Sequence, residues 1–191
     1  MKLIKTELDD CYIIEPDKFG DERGYFSPFF IEKQLKDNNI NFGAVVQCNR
    51  SLSSKGIVRG LHFQKNPKCQ AKIVECLNGS VLDVVLDLRE GSNTFGKWTS
   101  VLLTPENGRQ LFVPRGFAHG FVSLEDNTLF QYLVDNDYSK EDEEGILWND
   151  PDLNIDWKLE EYGIDNPILS DKDQNNKMFK DCPIFFKKGE I

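Results

Sequence analysis

Apolar positions along this chain alternate with polar ones over short runs, and Gly, Pro, Asn and Asp bound the runs. The stretches AKIVECL (71–77), SVLDVVLDL (80–88), SVLLT (100–104), RQLFVP (109–114) and TLFQYLV (128–134) are rich in β-branched and aromatic residues and too short for ordinary helices. They predict an all-β sandwich or barrel. Helical character is confined to FIEKQLKDNN (30–39) and to parts of the C-terminal quarter, where Pro and Gly interrupt often. No repeat, low-complexity segment or linker divides the chain, so residues 1–191 are read as one domain.

Two hairpins are expected. In AKIVECLNGSVLDVVLDL, Asn78-Gly79 supplies the two left-handed positions of a type I′ turn. That register sets Leu77 against Ser80 and Lys72 against Val85. One face then carries Lys72, Val74, Cys76, Val81, Asp83, Val85 and Asp87, and the other, Ile73, Leu77, Leu82, Val84, Leu86 and Leu88. The second face is core; on the first, Lys72 and Asp83 become diagonal neighbours. In HGFVSLEDNTLFQYL a two-residue turn at Asp126-Asn127 sets Phe121 opposite Tyr132, with His119 and Tyr132 pointing the same way.

Composition narrows the function. With 39% hydrophobic and 29% charged residues the chain is an ordinary globular one. Its net charge of -9 argues against a broad nucleic-acid or membrane surface, both of which need a basic face. The acidic excess gathers in DNDYSKEDEE (135–144), read as a solvated loop. Arg23, Arg50, Arg59, Lys65, Lys68 and Lys72 nonetheless supply cations for a small anionic ligand. No apolar run approaches the ~18 residues of a membrane span, and a cytoplasmic location is expected. Cys11, Cys48, Cys69, Cys76 and Cys182 are odd in number and form no C-x-x-C pair, so they are read as free thiols.

The chemistry starts from VRGLHFQ (58–64), which holds half of the His-x-His pair that would place two imidazoles on one face of a strand. The spacing Gly108, Pro114, Gly116, His119, Ser123 resembles the second motif of the cupin superfamily, departing at Ser123. Gly56, His62, Gln64, Lys72 and Gly79 resemble the first, with Gln64 where that motif has a His and Lys72 where it has a Glu. Both of these fall on metal ligands. An ammonium in place of a carboxylate repels a divalent cation and offers no lone pair while protonated, so no metal is expected. What remains is a polar interior holding His62, His119, Lys72, Asp83 and Tyr132: a base, an acid and a fixed positive charge that can stabilise an enolate.

The ordered blocks FGDERGYF, RGLHFQ, GSVLDVVLDLREGSNTFGKW, LFVPRGFAHGFVSL, ILWNDPDLNIDW and PILSDKD closely resemble the dTDP-4-dehydrorhamnose 3,5-epimerase family, from about residue 10 to about residue 175. The resemblance implies a cupin-type double-stranded β-helix, or jelly roll, with a few short peripheral helices. It implies no cofactor, and a homodimer that exchanges N-terminal strands. The implied reaction inverts carbons 3 and 5 of dTDP-4-keto-6-deoxyglucose. By the same resemblance His62 is the base, Asp173 rather than Asp171 orients it, Lys72 stabilises the enolate, Asp83 holds Lys72, and Tyr132 returns the proton. Phe19, Arg23, Gln47, Asn49, Arg59, His119, Glu143 and Lys172 are implied substrate contacts, with Phe19 reaching in from the neighbouring subunit. Tyr138 is implied to stack on the thymine.

Two features qualify this reading. Strict alternation puts Arg59 and His62 on opposite faces, so either Gly60 marks a bulge or Arg59 works from an edge. Ser27-Pro28 stand where the family commonly has a Phe and a substrate-touching Glu, which keeps open epimerisation at a single carbon or a different nucleotide-linked 4-keto sugar. A non-catalytic sugar-nucleotide-binding cupin is the alternative outside enzymes.

Overall fold

The computed structural model describes residues 1–191. Its N-terminal strands are β1 (Lys2–Lys5), β2 (Tyr12–Glu15), β3 (Phe19–Asp21) and β4 (Gly24–Phe26), followed by a short helix α1 (Glu32–Asp37). Then come β5 (Gln47–Ser53), β6 (Val58–Gln64), β7 (Lys72–Asn78), β8 (Val81–Asp87), β9 (Arg89–Glu90), β10 (Trp98–Leu103), β11 (Gln110–Val113), β12 (Phe117–Ser123), β13 (Thr128–Val134) and β14 (Glu143–Gly145). The tail holds α2 (Asp171–Gln174), one 3₁₀ turn and β15 (Phe186–Lys187). Every apolar run named above becomes a strand, and the helical stretch at 30–39 shrinks to α1. The C-terminal quarter is mostly irregular.

A six-stranded sheet, in the order β1-β2-β11-β7-β13-β5, faces a five-stranded sheet, β10-β8-β12-β6-β14. The expected hairpins are both corrected by this order. β7 and β8 lie in different sheets, as do β12 and β13, so each tight turn carries the chain across the sandwich. At the first turn Gly79 takes a left-handed φ of 72° while Asn78 does not; a Cβ on Gly79 would stand 2.5 Å from the Thr128 hydroxyl. Of the two predicted faces the first survives, because its residues point into the sandwich from either sheet. The second splits, with Ile73 on the outer side of one sheet, Leu82, Val84, Leu86 and Leu88 on the outer side of the other, and Leu77, expected in the core, exposed. Val74 and Cys76 pack against Val81 and Val85 across the middle of the sandwich, together with Val113, Phe121 and Phe130.

Alternation failed to mark a solvent face because outer layers cover both sheets. Leu82, Val84, Leu86 and Leu88 on the far side of the five-stranded sheet lie under Leu153, Trp157, Ile164 and Phe186. Ile73, Phe112 and Leu133, on the far side of the six-stranded sheet, lie under Leu35, Ile40 and Phe42 from α1 and the segment after it. Apolar burial on three levels stabilises the jelly roll at roughly 25 cal/mol per Å² removed from water.

One irregularity positions the site. Between β6 and β12, His62 pairs with His119 and Arg59 with Phe121, so three residue steps on β6 match two on β12. The extra residue is the bulge foreseen at Gly60, and it turns Arg59 and His62 to the same side. Gly60 has φ of 128°, and a Cβ there would stand 2.5 Å from the Gly120 Cα. Gly60→Ala therefore has to move the backbone of one strand or the other and to strain its own φ, at a cost of about 3 kcal/mol. For a chain of this size that corresponds to a melting temperature lower by roughly 10 °C; an unchanged thermal melt would show that the two strands are free to separate.

Candidate active site

A cleft of about 570 Å³ opens between the sheets. From the five-stranded side come Arg59 and His62 of β6 and His119 and Phe121 of β12; from the six-stranded side come Lys72 of β7, Phe130 and Tyr132 of β13 and Ser51 of β5. Glu143 on β14 and the segment Ile168–Asp173 complete the rim. A second lobe shares His62, Lys72, Tyr132 and Glu143 and adds Gln47, Asn49, Gln64, Gln70 and Tyr138. His62 and Tyr132 thus stand on opposite walls of one space.

Each histidine is held by its own carboxylate. His62 Nε2 lies 2.5 Å from Asp173 Oδ1, and Asp173 is buried at the start of α2, where Ser170 caps its backbone amide. Burial acts to raise the Asp173 carboxyl, but the hydrogen bond and charge of His62, with Ser170 and the Gly60 amide, outweigh it and hold the group below its ordinary value. An ionised carboxylate only accepts, so Nε2 carries the hydrogen and Nδ1 keeps its lone pair for a proton. Asp171, two residues earlier in α2, is exposed.

The second pair corrects an expectation. Asp83 does not hold Lys72: its two oxygens lie 3.1 and 2.9 Å from His119 Nε2, and Lys72 forms no ion pair within 4 Å. The two residues that alternation made neighbours are on opposing sheets, and Asp83 acts on Lys72 only through its charge. Burial raises the Asp83 carboxyl and lowers the His119 imidazole, each against the pull of its partner. Lys72 is pulled down to about 8, because burial of the ammonium outweighs Asp83 and Glu143. Burial likewise raises the Tyr132 phenol, with Glu143 adding to the shift and Arg59 opposing it.

The rim is a chain of contacts. Lys172 Nζ lies 2.5 Å from Glu143, which also accepts from the Tyr138 hydroxyl at 3.1 Å. The acidic stretch at 135–144 is therefore not simply a solvated loop: Tyr138 and Glu143 face the cleft, and Asp135 is buried against Arg115 at 2.8 Å. Gln64 turns its carbonyl oxygen to the Ser139 amide. The two imidazoles give Nε2 to carboxylates, an ammonium faces them, and no three His, Cys, Asp or Glu side chains gather as a metal-binding group.

Of the residues singled out from the sequence, His62, Lys72, Tyr132, Asp173, Arg59, His119, Gln47, Asn49, Tyr138, Glu143 and Lys172 all line the two lobes. Asp83 lies behind His119. Phe19 and Arg23 do not join them: they sit on the fully exposed β3–β4 hairpin, where Arg23 pairs with Asp21. Sequence reasoning missed Ser51, Phe121 and Phe130. A signal for Ser51 was present, since Gln47, Asn49, Ser51 and Ser53 alternate along β5 and so share one face.

Compared with known proteins, residues 5–181 match the family model described as dTDP-4-dehydrorhamnose 3,5-epimerase. The chain belongs to this family. The dTDP-4-dehydrorhamnose 3,5-epimerase of Shigella flexneri is 48% identical over 185 residues, covering 97% of this chain and 99% of that protein. The crystal structure of the epimerase from Elizabethkingia anophelis superposes with a TM-score of 0.89 at 53% identity, covering 95% of this chain and 97% of that one. The epimerase of Legionella pneumophila, solved in complex with dTDP-4-keto-L-rhamnose, gives 0.90 at 40% identity with 97% of each chain covered. The chain is thus an enzyme of the epimerase family, with its cupin-type sandwich.

Proposed function

We propose that the protein inverts carbons 3 and 5 of dTDP-4-keto-6-deoxyglucose to give dTDP-4-keto-L-rhamnose, without a metal. The observation that carries this reading is the placement of His62 and Tyr132 on facing walls of one cleft, with Lys72 lining it from the Tyr132 side. Both hydrogens to be removed lie beside the ketone, so each leaves an enolate. His62 Nδ1 takes the proton, Asp173 balances the resulting imidazolium, the Lys72 ammonium meets the enolate oxygen, and Tyr132 protonates the opposite face. Asp83 fixes His119 rather than Lys72. Arg59 suits the diphosphate because a guanidinium offers paired donors; Gln47, Asn49, Tyr138 and Glu143 line the lobe that takes the rest of the nucleotide sugar, and Lys172 reaches it through its ion pair with Glu143.

Phe19 and Arg23 fit this reading if the exposed β3–β4 hairpin serves a second copy. Phe19 and Tyr25 are 61% and 65% exposed, more than a hairpin that served only its own chain would leave open. We take the functional unit to be a homodimer with exchanged N-terminal strands, each chain a single domain over 1–191. No helix is long and apolar enough to cross a membrane, and the nucleotide-sugar substrate suits a cytoplasmic enzyme.

The test is proton NMR of dTDP-4-keto-6-deoxyglucose incubated with the protein in deuterated water. Loss of both the C3 and C5 signals is expected. Loss of one would point to single-carbon epimerisation, with Ser27-Pro28 as the place to look, and loss of neither would overturn the reading.

The acidity of Lys72 gives a further expectation. Its charged form is the active one, so kcat/KM falls up to tenfold per unit above about pH 8, as the ammonium becomes an amine. A wild-type profile that stays flat up to about pH 9.5 would remove the cationic role from Lys72.

A further inference from the structure

Three buried side-chain atoms lack any hydrogen-bond partner in the protein: Ser51 Oγ, Ser123 Oγ and Asn176 Nδ2. A buried hydroxyl without a partner forfeits its hydrogen bonds to water and gains nothing in return. Ser123 and Asn176 line neither lobe of the cleft; Ser51 does. On the inward face of β5 its neighbours are engaged, since Gln47 donates to Asn49 Oδ1 at 2.6 Å and Ser53 Oγ accepts from Arg59 Nε at 3.3 Å. Ser51, between them, is the one polar side chain of this row that makes no hydrogen bond within the protein.

Its position suggests which group it meets. Along β13, Asn49 pairs with Tyr132, Ser51 with Phe130 and Ser53 with Thr128. Ser51 therefore stands between the rung of the candidate acid and the residue that holds the Arg59 guanidinium. A 4-keto-6-deoxyhexose joined through C1 to a diphosphate has free hydroxyls only at C2 and C3. The C3 hydroxyl swings from one face to the other as C3 inverts, whereas the C2 hydroxyl stays where it is. C2 also lies between the phosphate-bearing C1 and the reacting C3, the same order as Arg59, Ser51 and Tyr132 along the cleft.

We infer that Ser51 Oγ hydrogen-bonds the C2 hydroxyl of the sugar and so selects substrates that carry it. This rests on the nucleotide-sugar reading above and names a specificity contact within it. The bond persists through both proton transfers, so it acts on substrate and transition state alike and governs KM rather than kcat.

The experiment compares wild type, Ser51→Ala and Ser123→Ala on dTDP-4-keto-6-deoxyglucose and on its 2-deoxy analogue. Ser51→Ala is expected to raise KM about three- to tenfold, the worth of one neutral hydrogen bond, with kcat little changed and no loss of melting temperature. Wild type should show the same rise on the 2-deoxy analogue, and Ser51→Ala should show no additional rise there. Ser123→Ala deletes an equally orphaned hydroxyl away from the cleft and should leave KM unchanged. Two results would overturn the inference while leaving the epimerase reading intact: a wild-type KM in Ser51→Ala, or a Ser51→Ala penalty that persists on the 2-deoxy analogue, which would place Ser51 on the phosphates instead. A wild type with the same KM for both sugars overturns the inference even if the variant folds poorly, and a wild type inactive on the parent sugar overturns both readings together.

Discussion

His62→Ala is expected to lower kcat by about 10³- to 10⁴-fold and to stop deuterium entry at C3 and at C5 together. The magnitude is that of a well-placed general base, and the joint loss follows from the geometry. Both imidazoles in the cleft give Nε2 to a carboxylate, but they differ in access: His119 is buried, with its Nε2 shared between both oxygens of Asp83. His62 instead lies at the cleft surface, with Asp173 behind it. One base must then serve both carbons, the ring shifting or turning between the two transfers. Binding of dTDP should be little changed, because Arg59, the proposed diphosphate contact, is left in place. Exchange that persisted at one carbon in His62→Ala would assign that carbon to a different base, and His119 would be the first to test.

How much of this was legible in the sequence depends on what alternation can and cannot encode. Alternation places Val74 and Cys76 with Val81 and Val85, and they do meet, but across the sandwich rather than along one sheet. Residue parity fixes which side chains of one strand point the same way; it does not say whether two consecutive strands are hydrogen-bonded or stacked. When they are stacked only the inward set still shares a space, so Ile73 parts from Leu82, Val84 and Leu86. A tight turn such as Asn78-Gly79 serves both, since Gly79 alone needs the left-handed conformation here. The same ambiguity explains why His119 and Tyr132 were rightly brought together through a hairpin that does not exist. It also explains why Asp83 was assigned to Lys72: a diagonal on one sheet becomes a gap between two, and the nearer His119 takes the carboxylate. The Gly60 bulge was anticipated only because Arg59 and His62 had to serve one site, a constraint from chemistry rather than from hydropathy. Burial of both faces of each sheet was not readable, because the covering layers come from residues 35–42 and from the irregular C-terminal quarter, where no period announces them.

Tyr132→Phe is expected to separate exchange from inversion. His62, Asp173 and Lys72 remain, so a proton can still leave beside the ketone and the enolate can still be held, and deuterium should continue to enter the substrate. What is lost is the donor on the six-stranded wall. Reprotonation then comes from the His62 side and restores the original configuration, so formation of the inverted sugar should fall by about 10²- to 10⁴-fold. Burial supports the assignment, because it raises the phenol and keeps Tyr132 protonated through neutral pH, as a proton donor requires. The variant removes one oxygen and leaves the ring beside Phe130, 6.3 Å between centroids, so packing and melting temperature should be nearly unchanged. Following the reaction in deuterated water distinguishes the possibilities directly. Labelled but uninverted substrate places the acid on the wall opposite the base; inverted product at the wild-type rate would mean that another group, or water, protonates that face; and loss of exchange altogether would make Tyr132 a partner in proton abstraction rather than in its return.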